Sequence, residues 1–144
     1  ANAEIAGLLA LVHPSARFID MDRDARDTAL SIFMHEFPHG FAYSNNLEEI
    51  RSYLAFRRTA VEKWIEAGLD VVQLKYEDFV TQPVEAGKTL FGHLDLQWKD
   101  ELLKPEFRKS PVRTFSANAV REPVQNKRVG RWQNYSKYFN SFEP

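Results

Sequence analysis

The residues best suited to chemistry in this chain stand together at Asp22-Arg23-Asp24-Ala25-Arg26-Asp27, with Ser31 shortly after them. A guanidinium presents a planar fork of donors that matches a phosphate, and a hydroxyl nearby adds another donor. Before them, Phe18-Ile19-Asp20-Met21 reads as a buried strand. After them, Thr28, Ala29, Leu30, Ile32 and Phe33 have the apolar spacing of a helix. Such a strand–turn–helix is half of a βαβ unit, and ligands in open α/β sheets sit beyond the carboxyl ends of the strands. Arg23 lies at that end and Ser31 about one turn inside the helix. Together with the helix N-terminus they make a phosphate-binding corner.

Three other patterns imitate sites. His35-Glu36-Phe37-Pro38-His39 spells the zinc-protease signature, which needs both imidazoles on one face of a continuous helix. Pro38 inside that helix costs about 3 kcal/mol and breaks it, and no third ligand is evident, so no metal site is expected. Gly87-Lys88-Thr89 has the tail of a Walker A loop, but Gln82 stands where its first glycine belongs and Pro83 opens a helix through it. Asp20, Asp22 and Asp24 start like a calcium loop, yet Ala25 replaces the turn glycine and Ser31 the closing glutamate.

The remaining elements follow from pattern and punctuation. Ile5, Leu8, Leu9, Leu11 and Val12 give a first helix stopped by Pro14. The helix after the corner runs from Thr28 to about Phe37, and a loop follows from Pro38 to Asn46. Asn46 and Glu49 form a capping box for a helix to Ala67, with Leu47, Ile50, Leu54, Val61, Trp64 and Ile65 inward and Gly68 as its stop. Val71 to Tyr76 is a second strand. Pro83 opens a helix carrying Val84, Leu90, Phe91 and Leu94, and Trp98 to Leu103 is a short helical turn. Residues 106–128 are loop-like and basic, and a last helix spans about Gly130 to Phe139.

One chain of 144 residues, 44% hydrophobic, supports one globular domain. A net charge of −1 does not suit wholesale binding to nucleic acid or an anionic membrane. The chain has no cysteine, hence no disulfide and no thiolate chemistry. No apolar run reaches the roughly twenty residues of a membrane span and no signal peptide is visible, which points to the cytoplasm. Two parallel strands leave an edge unpaired on each, and parallel sheets normally have more strands. The expectation is a missing strand upstream of residue 1, a weak strand near Val112–Ser116, or a partner chain pairing in a homodimer.

The succession RFIDMDRDARDTALSIF, VVQLKYEDFV, VRTFSANAVREP and VGRWQNYSKYF resembles the carboxyl-terminal half of PAPS-dependent sulfotransferases. It is most similar to the bacterial type associated with tetratricopeptide repeats, and more distantly to tyrosylprotein sulfotransferases. The resemblance implies a helix-rich α/β fold, a three-layer P-loop-NTPase-like parallel sheet. It would be truncated here, the upstream strand and phosphosulfate loop lying outside residues 1–144. It also implies PAPS, 3′-phosphoadenosine-5′-phosphosulfate, as the sulfuryl donor, and upstream tetratricopeptide repeats.

The family's Arg-Asp-Pro-Arg-Asp turn and following helical serine, which hold the 3′-phosphate, fall on Arg23 and Ser31. Its adenosine-contacting tyrosine falls on Tyr76, the serine of Ser-Ala-x-x-Val-Arg on Ser116, and the basic residue of Val-Gly-Arg-Trp on Arg131. Two departures stand out. Ala25 replaces the usual proline, and Asp22 puts a carboxylate beside Arg23, where it would compete for the guanidinium. No catalytic residue can be assigned, so the chain alone is expected to be inactive. His35, His39, Phe41 and Tyr43 are set towards an acceptor, a hydroxyl or amine of unknown identity. The alternative is a non-catalytic module that uses the loop from Phe37 to Asn46 and the basic segment to hold a partner.

Overall fold

A computed structural model describes residues 2–35, 41–104 and 126–142. The chain divides into two compact units, residues 1–73 with 128–144 and residues 74–127.

In the first unit α1 (Asn2–Val12) leads to β1 (Phe18–Asp22), and α2 (Ala25–Phe33) follows after two residues. A 3-10 turn, Ala42–Asn45, precedes the long α3 (Leu47–Glu66), after which β2 (Val71–Lys75) begins. The strands pair as a parallel two-stranded sheet. Its register is set at the start, where the Phe18 amide donates to the Asp70 carbonyl at 2.8 Å, and the Gln73 side chain reaches the Asp20 carboxylate across the pair at 3.5 Å.

The helix after β1 starts three residues earlier than its apolar spacing suggests. Asp24 is the reason: its carboxylate accepts from the amides of Arg26 at 2.9 Å and Asp27 at 3.1 Å, satisfying two otherwise orphaned donors. Ala25, in the place of the expected proline, is simply the first helical residue. Ser31 is consequently six residues into the helix, nearly two turns rather than one. The helix closes at Phe33, short of the expected Phe37.

Asn46 caps α3 as its sequence implies, accepting from the Glu48 and Glu49 amides at 2.9 and 3.2 Å. Of the expected inner face, Ile50 and Val61 are buried, whereas Ile65 is exposed. Ala29 and Leu30 of α2, Ile50 of α3, and Phe139 and Phe142 form the core, with Leu47, Leu54, Tyr43 and Trp132 packed on it. The last helical stretch, Arg131–Tyr138, is 3-10 rather than α-helical and kinks at Tyr135. Trp132, Phe139 and Phe142 meet edge-to-face along it. α1 is tied to α3 through Trp64, whose indole nitrogen donates to the Ala3 carbonyl at 2.7 Å.

In the second unit, Tyr76 opens a short helix, α4 (Tyr76–Thr81), instead of ending the strand. Pro83 stands at the first position of α5 (Pro83–His93). The turn Asp100–Leu103 is 3-10. Trp98 lies against Phe91 edge-to-face at 5.2 Å. Its ring covers Gly87 so closely that a Cβ there would fall 2.2 Å from it. Gly87 is thus a packing residue inside a helix, with no phosphate nest around it.

Candidate functional site

The site grows from the end of β1. Arg23, the first residue after the strand, is followed by Asp27 and Ser31 on α2 and by His35 just past its end, at four-residue steps that stack side chains on one helix face. Arg23, Asp27, Leu30, Ser31 and His35 line a cleft of about 70 Å³ whose far wall is Arg128 and Arg131. That is several times the roughly 10–15 Å³ needed to admit one water, room for a compact oxyanion.

Asp27 holds the two walls together. It is 2% exposed. One carboxylate oxygen accepts from the Gly130 amide at 2.6 Å, the other from the Trp132 amide at 2.9 Å. Gly130 adopts a left-handed conformation, φ +72°, that lets both amides of this turn face the same carboxylate. Arg23 adds to the seam, donating to the Arg128 carbonyl at 2.6 Å, with Asp27 4.0 Å away. Beside it Arg26 is bound at 2.8 Å by Asp24 and lies 3.7 Å above the Trp132 ring. Asp24 titrates below its ordinary value. Burial alone would raise it, but the Arg26 side chain and the amides of Asp27 and Arg26 outweigh burial by bonding the ionised form.

The structure therefore brings Arg23, Ser31 and Arg131 to one cleft. Tyr76 belongs to the second unit, where it opens α4. Ser116 lies outside the described residues, as do His39 and residues 112–116. His35, expected towards an acceptor, lines this cleft. The carboxylate set against Arg23 is Asp27, four residues after it, in addition to any influence of Asp22. Of the calcium-like aspartates, Asp20 pairs with Arg57 and Asp24 caps a helix.

Asp27 and Arg128 are the site residues that sequence reasoning passed over. Only the spacing from Arg23 through Asp27 to Ser31 pointed to Asp27. Nothing local points to Arg128, since its contribution is a backbone carbonyl. With the Arg23 and Arg131 side chains and a hydroxyl around a small space, the arrangement can hold a multiply charged oxyanion. Asp27's own charge is shared with two amides, so the arginines are only partly neutralised by it.

A family model described as the sulfotransferase family matches residues 1–100, ending before Ser116 and Arg131. An uncharacterized protein of Aquifex aeolicus (strain VF5) is 30% identical over 142 residues. The aligned region is 95% of this chain and 18% of that protein, so the chain spans less than a fifth of its relative's length.

Proposed function

The chain belongs to the sulfotransferase family, and from that premise we propose that it is the part of a PAPS-dependent sulfotransferase that holds the 3′-phosphoadenosine end of the donor. The cleft takes the 3′-phosphate, the group that separates PAPS from ATP. Arg23 and Arg131 supply charge, Ser31 a hydroxyl donor, and Asp27 keeps the two walls in place. The resemblance adds Tyr76, for the adenine, and Ser116 as further donor-binding residues. When bound, PAPS supplies the sulfuryl group for a hydroxyl or amine acceptor. The observation that supports this reading is the convergence of Arg23, Ser31 and Arg131, from opposite ends of the chain, on one small cavity.

The reading extends to a longer protein. The phosphosulfate loop, the strand before it and the groups acting on the acceptor lie upstream in it, after tetratricopeptide repeats. The sheet there is three-layered and P-loop-like, and the edges of β1 and β2 are paired by that strand or by a second copy of the chain.

A second reading is a non-catalytic module of the same fold. It is favoured by the bonds Arg23 already makes to the Arg128 carbonyl and towards Asp27, a structural use of the same guanidinium. One thermal-shift experiment separates the two. On the first reading 3′,5′-adenosine diphosphate raises the melting temperature, ATP at equal concentration does not, and Arg23→Ala removes the difference. Equal responses to both nucleotides, or none to either, select the second.

A further inference from the structure

The fourth residue in the stripe from Arg23 has no part in the reading above. His35 sits one turn beyond Ser31, just after α2, and lines the same cleft. Its Nδ1 lies 2.6 Å from the Ser31 carbonyl oxygen. A carbonyl only accepts, so Nδ1 carries the proton of that bond. The bond one ring nitrogen makes sets the state of the other: in the neutral ring Nε2 is an unprotonated acceptor. An oxyanion offers no proton for it to accept. Protonation converts Nε2 to a donor and adds a positive charge to the cleft wall.

We infer that His35 is a further ligand of the anion in this cleft, and that the anion binds together with a proton taken up from solvent by the imidazole. The inference rests on the reading of the cleft as a 3′-phosphate site. The charged groups around the ring agree with it in sign. Arg23 from the start of α2 and Arg128 and Arg131 from the carboxyl-terminal segment face the cleft, with Asp27 as its one carboxylate among the described residues. Neither α3 nor the Ala42–Asn45 turn adds a described lining residue; they meet α2 through apolar groups, Tyr43, Leu47, Ile50 and Leu54. A doubly charged anion favours the protonated ring over the neutral one, so proton and anion enter together.

The test is calorimetric titration of the chain with 3′,5′-adenosine diphosphate between pH 7 and 8, in buffers of different ionisation enthalpy, which counts protons exchanged on binding. A phosphomonoester itself titrates near pH 6, so the informative quantity is the difference between wild type and His35→Gln. Wild type should take up more protons than His35→Gln. Its affinity relative to that variant should rise about tenfold from pH 8 to pH 6, the scale of one hydrogen bond to a charged group. His35→Arg, a permanent donor, should bind without the extra proton and with the weaker pH dependence. Binding with equal proton counts in wild type and His35→Gln overturns the role of His35 and leaves the nucleotide site standing. Absence of 3′,5′-adenosine diphosphate binding to wild type overturns the nucleotide reading, and this inference with it.

Discussion

Two arginine–aspartate pairs are attached to β1, one within the strand and one just past it. Within the strand, Asp20 binds the Arg57 guanidinium of α3 directly, in a groove lined by Phe18, Tyr53 and Trp64. Past its end, Asp27 has its oxygens filled by the Gly130 and Trp132 amides, and the Arg23 guanidinium stands 4.0 Å off. The residue types are identical and the outcomes differ. In the first pair the carboxylate consumes the charge of its arginine, so the pair ties helix to strand. In the second, backbone amides fill the carboxylate, and the arginine binds the Arg128 carbonyl instead. Backbone donors, rather than charge pairing, decide how each carboxylate is used.

The widest separation between the pairs should appear in stability. Asp27→Ala removes two hydrogen bonds to a buried carboxyl acceptor and frees the Gly130–Trp132 turn from α2; it is expected to cost about 3–5 kcal/mol. Asp20→Ala breaks a pair whose arginine remains partly solvated, for about 1–2 kcal/mol. Urea denaturation of both variants gives the ordering. A larger loss for Asp20→Ala would mean that the strand pair, not the buried carboxylate, holds this unit together.

Binding should separate the arginines in the same sense by a smaller margin. Arg23→Ala should weaken 3′,5′-adenosine diphosphate about tenfold or more, the loss of one charge-assisted contact to a phosphate. Arg57→Ala should leave that affinity within about twofold, because its guanidinium is already neutralised by Asp20. Similar losses from both would erase the distinction and point to a diffuse effect of positive charge.

Much of the scaffold for this contrast was legible because it is local. Asn46 as a cap, Pro83 at a helix start and the two apolar runs are written within a few residues of where they act. The strand–turn–helix pattern led to Arg23 and Ser31, and family spacing to Arg131. What escaped is what depends on distant backbone. Asp27 was read as part of a charged turn because the apolar spacing begins at Thr28. Only the Asp24 cap, with its preference for amides over solvent, pulls the helix start back to Ala25 and turns Asp27 inward. Its partners lie 103 and 105 residues away, and they are amides, which no side-chain pattern announces. Tyr76 was read as strand because it continues an apolar run, yet it is helical. Ile65 followed the helix period to a position that nothing covers.

The smallest effect concerns Asp24, whose role lies between those of the two pairs: it accepts from backbone amides and also binds an arginine outright. By committing Arg26 to itself and to the Trp132 face, it leaves Arg23 as the first arginine of the turn still aimed at the cleft. Asp24→Ala should cost about 1 kcal/mol at neutral pH, the usual worth of a helix cap. The bonds that depress its titration favour the charged carboxylate in the fold. Its contribution is therefore complete above the unfolded value, near 4 for an aspartate, and is lost as pH falls through the lower folded value. Urea midpoints at pH 7, 5 and 3 should show the gap between wild type and Asp24→Ala unchanged over the first interval and narrowed over the second. Asp24→Asn keeps an acceptor for the amides but loses the ion pair, so its own stability should fall less than wild type's between pH 5 and 3. A gap to Asp24→Ala that persists undiminished at pH 3 would show that the cap works as a neutral hydrogen bond. Arg26 would then be held by the Trp132 ring rather than by charge.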